Sequence, residues 1–390
     1  MGLTHWEADF TLLSDGKDVT EAIRRGVNEI RFTDNGAATK QTDSLDITLY
    51  SEVLALPPKG VTLSLSLGFN GNMVNKGQFT VCQVKSSGPP RKIQITATAA
   101  PMNNARHGYD ATSTRNRTFE DKTLGDILER VAADNGLTGR ISASLVNIKV
   151  PSVIQLAESD LSMMSRLASQ YGAVSKPSNG FWLFLEYGAA QASDGGFLPD
   201  ITITPDMVSD WSYQEGDRGS DSANSSGKGK GKDDDKKWKV SKPTSDDTSG
   251  SIRTKYYNES TGEIETYTVQ HDGPDIDNPH TSADKESAKG SADTKAKKVK
   301  KAGKKMTITA PCTQEMLKLT AESRITTQGF GKSEDRRWQV ESIDWTLNSR
   351  GLVASFSLAT DIQAAGGGKG KSGKGKKPTF TLEKGSETTH

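Results

Sequence analysis

The sequence of 390 residues has little of what several protein classes require. It contains only two cysteines, Cys82 and Cys312, which lie far apart, so neither a disulfide framework nor a cysteine metal site is predicted. No run of about 18 apolar residues occurs, so we expect no membrane-spanning helix and no stable membrane insertion. The N-terminal MGLTHWEADF lacks a basic start and an apolar stretch, so no signal peptide is expected. These absences indicate synthesis in a reducing cytoplasm.

The common catalytic motifs are also missing. There is no Walker phosphate loop, no G-x-S-x-G elbow and no strand–helix G-x-G-x-x-G, and none of the five histidines forms an i, i+4 pair. The 49 acidic residues leave a catalytic carboxylate pair open, although solvated surface acids are the simpler interpretation. We therefore expect no enzyme activity, no cofactor and no bound metal.

The net charge of +1 hides a segregation of charge. Residues 285–305 carry nine lysines against two acids, and residues 363–390 carry six lysines against two acids, which leaves the remaining chain with an excess of ten negative charges. An acidic body argues against specific nucleic-acid binding. The 285–305 lysines indicate either the exposed face of a helix whose alanines pack inward or a contact with phosphate or lipid head groups. The tail indicates disorder, or docking to an acidic partner.

The first hundred residues alternate apolar and polar side chains with period two, which predicts antiparallel strands separated by turns. The predicted strands are 28–34, 45–50, 61–67, 77–84 and 92–98. Around residue 119 the period changes to that of a helix, with apolar residues from Leu124 to Ala132 on one face. A second helix is predicted at about 159–170, followed by a hairpin at 173–187.

The rest of the chain predicts a second β unit. Strands are expected at 252–258, 263–270, 305–310, 337–346 and 352–358, with a lysine-rich helix at 281–301 that Gly290 weakens. The predicted domains are therefore a first β unit at 1–100, an α+β insert at 101–190 and a second β unit at 191–362. A flexible loop is expected at 216–250, and a disordered Lys/Gly-rich tail at 363–390.

The stretch 115–187 carries a resemblance to a known family. In order it contains Arg115-Asn-Arg117, Thr123-Leu-Gly-Asp-Ile-Leu128, Asn135-Gly-Leu137, Gln155, Glu158-Ser-Asp160, Arg166-Leu-Ala168, Tyr171-Gly-Ala173 and Asn179-Gly180. This series resembles the late control protein D family, the tail baseplate hubs of contractile-tailed bacteriophages and tailocins. Trp338-Gln-Val-Glu-Ser, Thr346-Leu-Asn-Ser and Gly351 resemble that family's final strands.

The resemblance implies a mainly β fold with an α+β insert, in which each chain has two tube-like antiparallel β-barrel domains. It implies a homotrimer with pseudo-sixfold symmetry that joins the hexameric tail tube to a trimeric membrane-puncturing spike. Further implied partners are a tube-initiator protein, baseplate wedge and other hub proteins, and the tape measure protein. The implied location is the tail baseplate of the virion, after assembly in the host cytoplasm.

Ten residues of this stretch would then have structural roles: Thr123, Gly125, Asp126, Gln155, Glu158, Ser159, Asp160, Arg166, Tyr171 and Gly172. We expect Thr123 and Asp126 to form a capping box at the first helix, since each side chain can serve the other's backbone N–H. Gln155, Glu158, Ser159 and Asp160 would cap and fix the second helix, and Arg166 would pair with a nearby acid.

Two other functions remain open from the sequence. A type VI secretion spike-type hub has the same fold but continues into a β-helical needle, and this chain shows no such repeat. A tail-associated cell-wall hydrolase would need a catalytic motif of the kind that is missing here.

Overall fold

The computed structural model describes residues 7–36, 41–103, 109–188, 196, 198–216, 249–258, 260–272, 275–279, 281–282 and 284–361. The first part of the chain forms seven strands and one short helix. They are β1 (Ala8–Ser14), β2 (Lys17–Asp18), α1 (Thr20–Arg24), β3 (Val27–Asn35), β4 (Ser44–Tyr50), β5 (Thr62–Phe69), β6 (Asn72–Ser87) and β7 (Lys92–Thr98). All five strands predicted for this part are confirmed. Alternate side chains of these strands point into the core, which is why the period-two pattern revealed them.

The middle part combines small sheets with two helices. Its elements are β8 (Met102–Asn103), β9 (Tyr109–Asp110), β10 (Thr114–Thr123), α2 (Leu124–Asp134), β11 (Thr138–Ile141), β12 (Lys149–Ser159), α3 (Asp160–Gln170), β13 (Ala173–Ser178) and β14 (Phe181–Glu186). Strands β10 and β12 form a two-stranded ribbon, and β11, β14 and β13 form a three-stranded sheet. Both predicted helices and the predicted hairpin are confirmed, whereas β10 and β12 were not predicted.

The last part contains the remaining strands, one long helix and two 3₁₀ turns. They are β15 (Asp200–Ile203), a turn at Pro205–Met207, β16 (Asp210–Glu215), β17 (Ser249–Asn258), β18 (Glu263–Asp272), β19 (Ile276–Asp277), α4 (Lys285–Ala302), β20 (Lys304–Pro311), a turn at Met316–Lys318, β21 (Arg324–Thr327), β22 (Arg337–Asn348) and β23 (Gly351–Thr360). Residues 217–248 of the predicted loop and the whole predicted tail lie outside the described residues.

The same strand order occurs twice in the large sheet. In the first part the strands run β3-β4-β7-β6-β5-β1, and in the last part they run β16-β20-β23-β22-β21-β15. We number the six strands of each set from one to six by their position in the sequence. Across the sheet, both sets then follow the same spatial order: second, third, sixth, fifth, fourth, first. One difference is that β1 pairs with β5 antiparallel whereas β15 pairs with β21 parallel. The chain therefore contains two sheet units of equivalent topology, which we call unit A (β1, β3–β7) and unit B (β15, β16, β20–β23).

The two units are joined edge to edge into one sheet. Residues Ser342–Asn348 of β22 pair antiparallel with Asn35–Glu29 of β3, so unit B continues directly into unit A. A single apolar cluster spans both units and includes Phe32, Trp345 and Phe356. The insert has a separate cluster around Trp182, Met163 and Leu128. Units A and B thus share one sheet and one core, while the residues around α2 and α3 have a core of their own.

Helix α4 differs from its prediction in position and in burial. It begins at Lys285, after the N-cap Asp284, because Ser282 is held in extended conformation by a bridge to Tyr256. Ala288 and Ala292 are buried as predicted, but Ser287, Thr294 and Lys301 are buried too, so the lysine-rich segment is not simply an exposed face. The helix packs against β17, β18 and α3, which surround it on more than one side.

Gly290 explains how α4 approaches α3 so closely. A Cβ at Gly290 would lie 2.8 Å from the backbone oxygen of Gln170 and 3.2 Å from the backbone of Tyr171. The glycine therefore permits the contact, and the helix continues through it. In the part of the chain that is described, no helix has the length and apolar character needed to cross a membrane.

Candidate functional site

The first predicted feature is the start of α2. The hydroxyl oxygen of Thr123 accepts from the Asp126 N–H at 3.1 Å, and the Asp126 carboxylate accepts from the Thr123 N–H at 3.0 Å. These are the reciprocal bonds of a capping box, with Asp in place of the usual Glu. The two hydrogen bonds from Thr123 lower the pKa of Asp126, since both favour the charged carboxylate.

The second feature is a buried polar network beneath the β10–β12 ribbon. The guanidinium of Arg117 donates to Gln155 Oε1 at 2.7 Å, to Asp134 Oδ2 at 2.5 Å and to Asp160 Oδ1 at 2.6 Å. Arg115 adds a contact of 3.2 Å to Asp160 Oδ2. A planar guanidinium can hold several oxygens at once, so Arg117 fastens the ribbon to both helices of the insert.

Asp160 is the fully buried centre of this network. Besides the two arginines, its carboxylate accepts from Asn135 Nδ2 at 2.8 Å and from Gln155 Nε2 at 2.9 Å. Asn135 closes α2 and Asp160 opens α3, so the carboxylate connects the end of one helix to the beginning of the next. A buried carboxylate is tolerated here because cations and amide donors surround it.

The remaining capping residues lie closer to solvent. The Ser159 hydroxyl oxygen accepts from the Ser162 N–H at 3.2 Å and caps α3. Glu158 pairs with Arg166, whose Nη2 lies 2.8 Å from Glu158 Oε2. The hydrogen bond from Arg166 lowers the pKa of Glu158. Arg166 thus has the acidic partner that the sequence led us to expect.

The other three predicted residues serve packing. A Cβ at Gly125 would lie 2.9 Å from a methyl group of Val146, so only glycine fits there without a shift. Tyr171 is buried at the end of α3, and burial raises the pKa of its hydroxyl. Gly172 has a φ of +69°, a left-handed conformation that favours glycine after a helix.

A buried ion triad joins the insert to unit A. Lys176 Nζ on β13 lies 3.0 Å from Asp34 Oδ1 and 2.9 Å from Asp43 Oδ1, and it also donates to the backbone oxygen of Asn35. Burial alone would lower the pKa of Lys176, but the two carboxylates outweigh it and raise that pKa above its usual value. Burial likewise opposes ionisation of Asp34, but Lys176 and the Ala321 N–H lower its pKa.

The junction between units A and B carries its own polar contacts. Arg31 Nη2 of β3 lies 3.0 Å from Asp344 Oδ1 of β22, and the Thr33 hydroxyl donates to the same oxygen at 2.6 Å. Nearby, Lys76 Nζ donates to the Leu317 oxygen at 2.6 Å and lies 4.0 Å from the centre of the Trp345 ring. Burial lowers the pKa of Lys76 to about 8.

Taken together, the predicted residues form a framework that positions helices. The structure brings Gln155 and Asp160 into one network, Thr123 with Asp126 into a cap, and Glu158 with Arg166 into a pair. Gly125, Tyr171 and Gly172 lie at separate packing positions. Among the described residues, no group of three or more His, Cys, Asp or Glu side chains is arranged to hold a metal ion.

Several important residues were missed from the sequence. Asp134 was not singled out, and neither was the triad of Lys176, Asp34 and Asp43. The alternation of Arg115, Arg117 and Phe119 on one face of β10 was the available signal, because charged residues that alternate with a buried aromatic indicate buried partners. The triad offered no such pattern, since Lys176 lies 142 residues from Asp34 and 133 residues from Asp43 along the chain.

Comparison with known proteins agrees with the resemblance seen in the sequence. The chain is 33% identical over 199 residues to a probable baseplate hub protein of Escherichia phage P2, and 32% identical over 213 residues to that of Escherichia phage 186. These matches cover 50% and 54% of this chain. The chain spans about half the length of the curated relatives that it matches, 50% and 53% respectively. No protein-family profile matches the chain.

Solved structures share the fold. The 43 kDa tail protein of prophage MuSo2 from Shewanella oneidensis has a TM-score of 0.60 at 12% identity, covering 90% of this chain and 98% of its own. The E. coli c3393 protein, described as a component of the type VI secretion system, has a TM-score of 0.51 at 10% identity, covering 85% and 73%. The mainly β fold is therefore that of phage tail proteins.

Proposed function

We propose that this chain is a structural baseplate hub of a contractile tail, from a phage or a tailocin. The observation that carries the proposal is the repeated strand order of units A and B, joined edge to edge through β22 and β3. Two equivalent units in each chain allow three copies to present six similar surfaces around one axis. The similarity to probable baseplate hub proteins of two phages supports the same function.

The hub would act through its interfaces. As a homotrimer with pseudo-sixfold symmetry, it would seat the hexameric tail tube or a tube-initiator protein on one face and a trimeric spike on the other. In this proposal each unit is one tube-type barrel, and the insert lies at residues 101–190 between them. Wedge proteins, other hub proteins and the tape measure protein would contact the outer surfaces in the virion baseplate.

The ten residues singled out from the sequence would give the insert its rigidity. The capping box of Thr123 and Asp126 and the network of Gln155 and Asp160 fix the starts of both helices. Two anchored helices would present a constant surface to neighbouring proteins, because their ends have few alternative conformations. No reacting group is needed for this function.

Light scattering of the full chain, alone and mixed with the spike protein, tests the proposal. We expect the mass of a trimer in at least one of the two samples, and binding of the spike trimer in the mixture. A monomer in both samples would contradict the proposal. The matched control is the same measurement with an unrelated trimeric spike.

A type VI secretion spike-type hub is the second candidate, supported by the fold shared with the E. coli c3393 protein. The two candidates differ in what the chain joins. A separately encoded spike that binds the purified chain would favour the phage hub, and export of the chain by a type VI system would favour the alternative.

A further inference from the structure

Strand β16 is an exposed edge of the large sheet. Within the described residues it pairs only with β20, and five of its six side chains are exposed. Trp211 in this strand is 39% exposed, which is unusual for a large aromatic residue in a sheet. Unpaired strand edges with exposed aromatic residues are typical of surfaces that pair with another chain.

A second free edge lies at the end of β6. This strand pairs with β5 over Asn72–Thr80 and with β7 over Thr80–Ser87. Residues Gln83–Ser87 therefore have a ladder on one side only in the part of the chain that is described, and most of their side chains are exposed. The unpaired edge of Gln83–Ser87 lies on the same side of β6 as the strand β5, which pairs with the first half of β6.

The internal repeat relates these two edges to the junction inside the chain. In the repeat, β6 of unit A corresponds to β22 of unit B, and β16 of unit B corresponds to β3 of unit A. The strands β22 and β3 are the ones that pair with each other within one chain. Their counterparts β6 and β16 each keep an edge that has no partner strand among the described residues.

The register of the repeat can be read residue by residue. β22 has a bulge between Val340 and Ser342 where it pairs with β23, and β6 has a bulge between Val81 and Gln83 where it pairs with β7. Matching the two bulges aligns β22 with β6. In this alignment Gln83 takes the position that Ser342 has in unit B. The ladders β4–β7 and β20–β23 then place Tyr213 at the position of Phe32.

We infer that the β6 edge at Gln83–Ser87 of one copy pairs antiparallel with the β16 edge at Asp210–Glu215 of a second copy. Transferring the internal register sets Lys85 opposite Gln214, and Ser86 opposite Tyr213. The partner is another copy of this chain, because the repeat supplies the complementary edge at the same register. No like charges meet in this pairing.

The exposed aromatic residue of β16 supports this contact. Trp211 occupies the position of Ile30, and Tyr213 that of Phe32, through the same ladders. Ile30 and Phe32 are 1% and 4% exposed, and both lie in the strand that β22 covers. In the transferred register Ser212 lies opposite Ser87, so the end of β6 in a second copy would lie next to Trp211.

The contact is heterologous, because each copy offers one edge of each kind. Repeating such a contact around an axis gives a closed ring when the rotation is right. The inference deepens the proposed function and rests on its assembly of three chains, since it names the strands through which the copies would meet. The edge pairing and the hub function can nevertheless fail separately.

Cross-linking tests the pairing in the full-length chain. We would combine Lys85→Cys with Gln214→Cys on one chain in a Cys82→Ser background and treat it with a short bis-maleimide. Opposite residues in antiparallel strands have Cβ atoms roughly 4.5–5.5 Å apart, which such a reagent spans. The matched control, Lys85→Cys with Asp210→Cys, moves one thiol four residues along the strand, by roughly 13 Å.

We expect covalent species of two and three chains from the Lys85→Cys/Gln214→Cys protein, at least tenfold more than from the control, and no three-chain species from either single cysteine variant. Light scattering is run on the same samples. A trimer without this cross-link overturns the edge pairing and leaves the hub function standing. A monomer without a cross-link overturns the pairing as well. A cross-linked ring that binds neither tube nor spike supports the pairing and contradicts the hub function.

Discussion

Arg31 Nη2 and Asp344 Oδ1 lie 3.0 Å apart, although 313 residues separate the two side chains in sequence. The pair bridges the neighbouring strands β3 and β22, where units A and B meet. Thr33 donates to the same carboxylate oxygen, so Asp344 serves two donors of unit A. The junction is thus specified by side chains as well as by its backbone ladder.

Replacing Asp344 tests this contact. We expect Asp344→Ala to lower the free energy of unfolding by about 1–2 kcal/mol, because the Thr33 hydroxyl and the Arg31 guanidinium both lose their acceptor. Arg31→Ala should cost less than about 1 kcal/mol, since the Arg31 side chain is half exposed. Urea unfolding of the two single variants and the double variant measures the coupling. If the two single losses in the free energy of unfolding add up to that of the double variant, the Arg31–Asp344 contact makes no contribution of its own.

Asp160 should be the most sensitive residue of the insert. We expect Asp160→Ala to lower the free energy of unfolding by about 3–5 kcal/mol, because the partly buried Arg115 and Arg117 would lose the central carboxylate, and the amides of Asn135 and Gln155 would lose their acceptor. The matched control is Glu158→Ala, which removes the half-exposed pair with Arg166 and should cost at most about 1 kcal/mol. Denaturant unfolding compares them, and equal losses would refute a special role of the buried network.

Lys176→Met should make the free energy of unfolding depend strongly on pH between pH 4 and pH 8. In the native protein the pKa of Lys176 is raised, so its contribution is complete below pH 10.5 and is lost as the pH rises above that value. The pKa of Asp34 is lowered, so its contribution is complete above pH 3.8 and is lost as the pH falls. Without Lys176, Asp34 and Asp43 would remain as two buried carboxylates without their cation.

The variant should therefore lose about 3–5 kcal/mol at pH 7 and less at pH 4–5, where protonation neutralises the carboxylates. Urea midpoints measured from pH 4 to pH 8 give this profile. Lys122→Met, at an exposed position of β10, is the control and should leave the profile unchanged. A loss that is equal at both ends of the range would argue against the triad.

Gly290→Ala should destabilise the protein even though alanine favours helices. Alanine gains about 1 kcal/mol in helix propensity over glycine. The new Cβ would meet the Gln170 oxygen at 2.8 Å, and such overpacking typically costs about 1–3 kcal/mol. We expect a net loss of roughly 1 kcal/mol by thermal unfolding, with Lys289→Ala in the same helix as the near-neutral control. A gain in stability would show that α3 and α4 can separate at little cost.

The sequence predicted the elements whose side chains follow one simple period. Strands β3–β7 alternate between the core and the surface, and α2 has an apolar face, so all of them could be read directly. β10 and β16 were missed for a physical reason. The inward positions of β10 hold Arg115 and Arg117 before the buried Phe119, so its alternation is not one of apolar and polar residues. β16 buries no residue fully and shows no alternation.

The candidate site was predictable only where the contacts are local. The Thr123–Asp126 cap spans three residues, and its spacing alone reveals it. The partners of Asp160 lie up to 45 residues away along the chain, and those of Lys176 lie still further, so their meeting depends on tertiary structure. The repeat of strand order was equally hidden, because the elements β17–β19 and α4 separate β16 from β20 in unit B.

The junction also sets an order of events during synthesis. β3 is made early, but its neighbour β22 follows only after about three hundred further residues. At roughly 5–20 residues per second, the ribosome needs about 15–60 s to supply that neighbour. Throughout this interval the edge of β3 is open to other chains, including nascent copies from the same message. Slow completion of unit B therefore exposes the protein to mispairing before it can assemble.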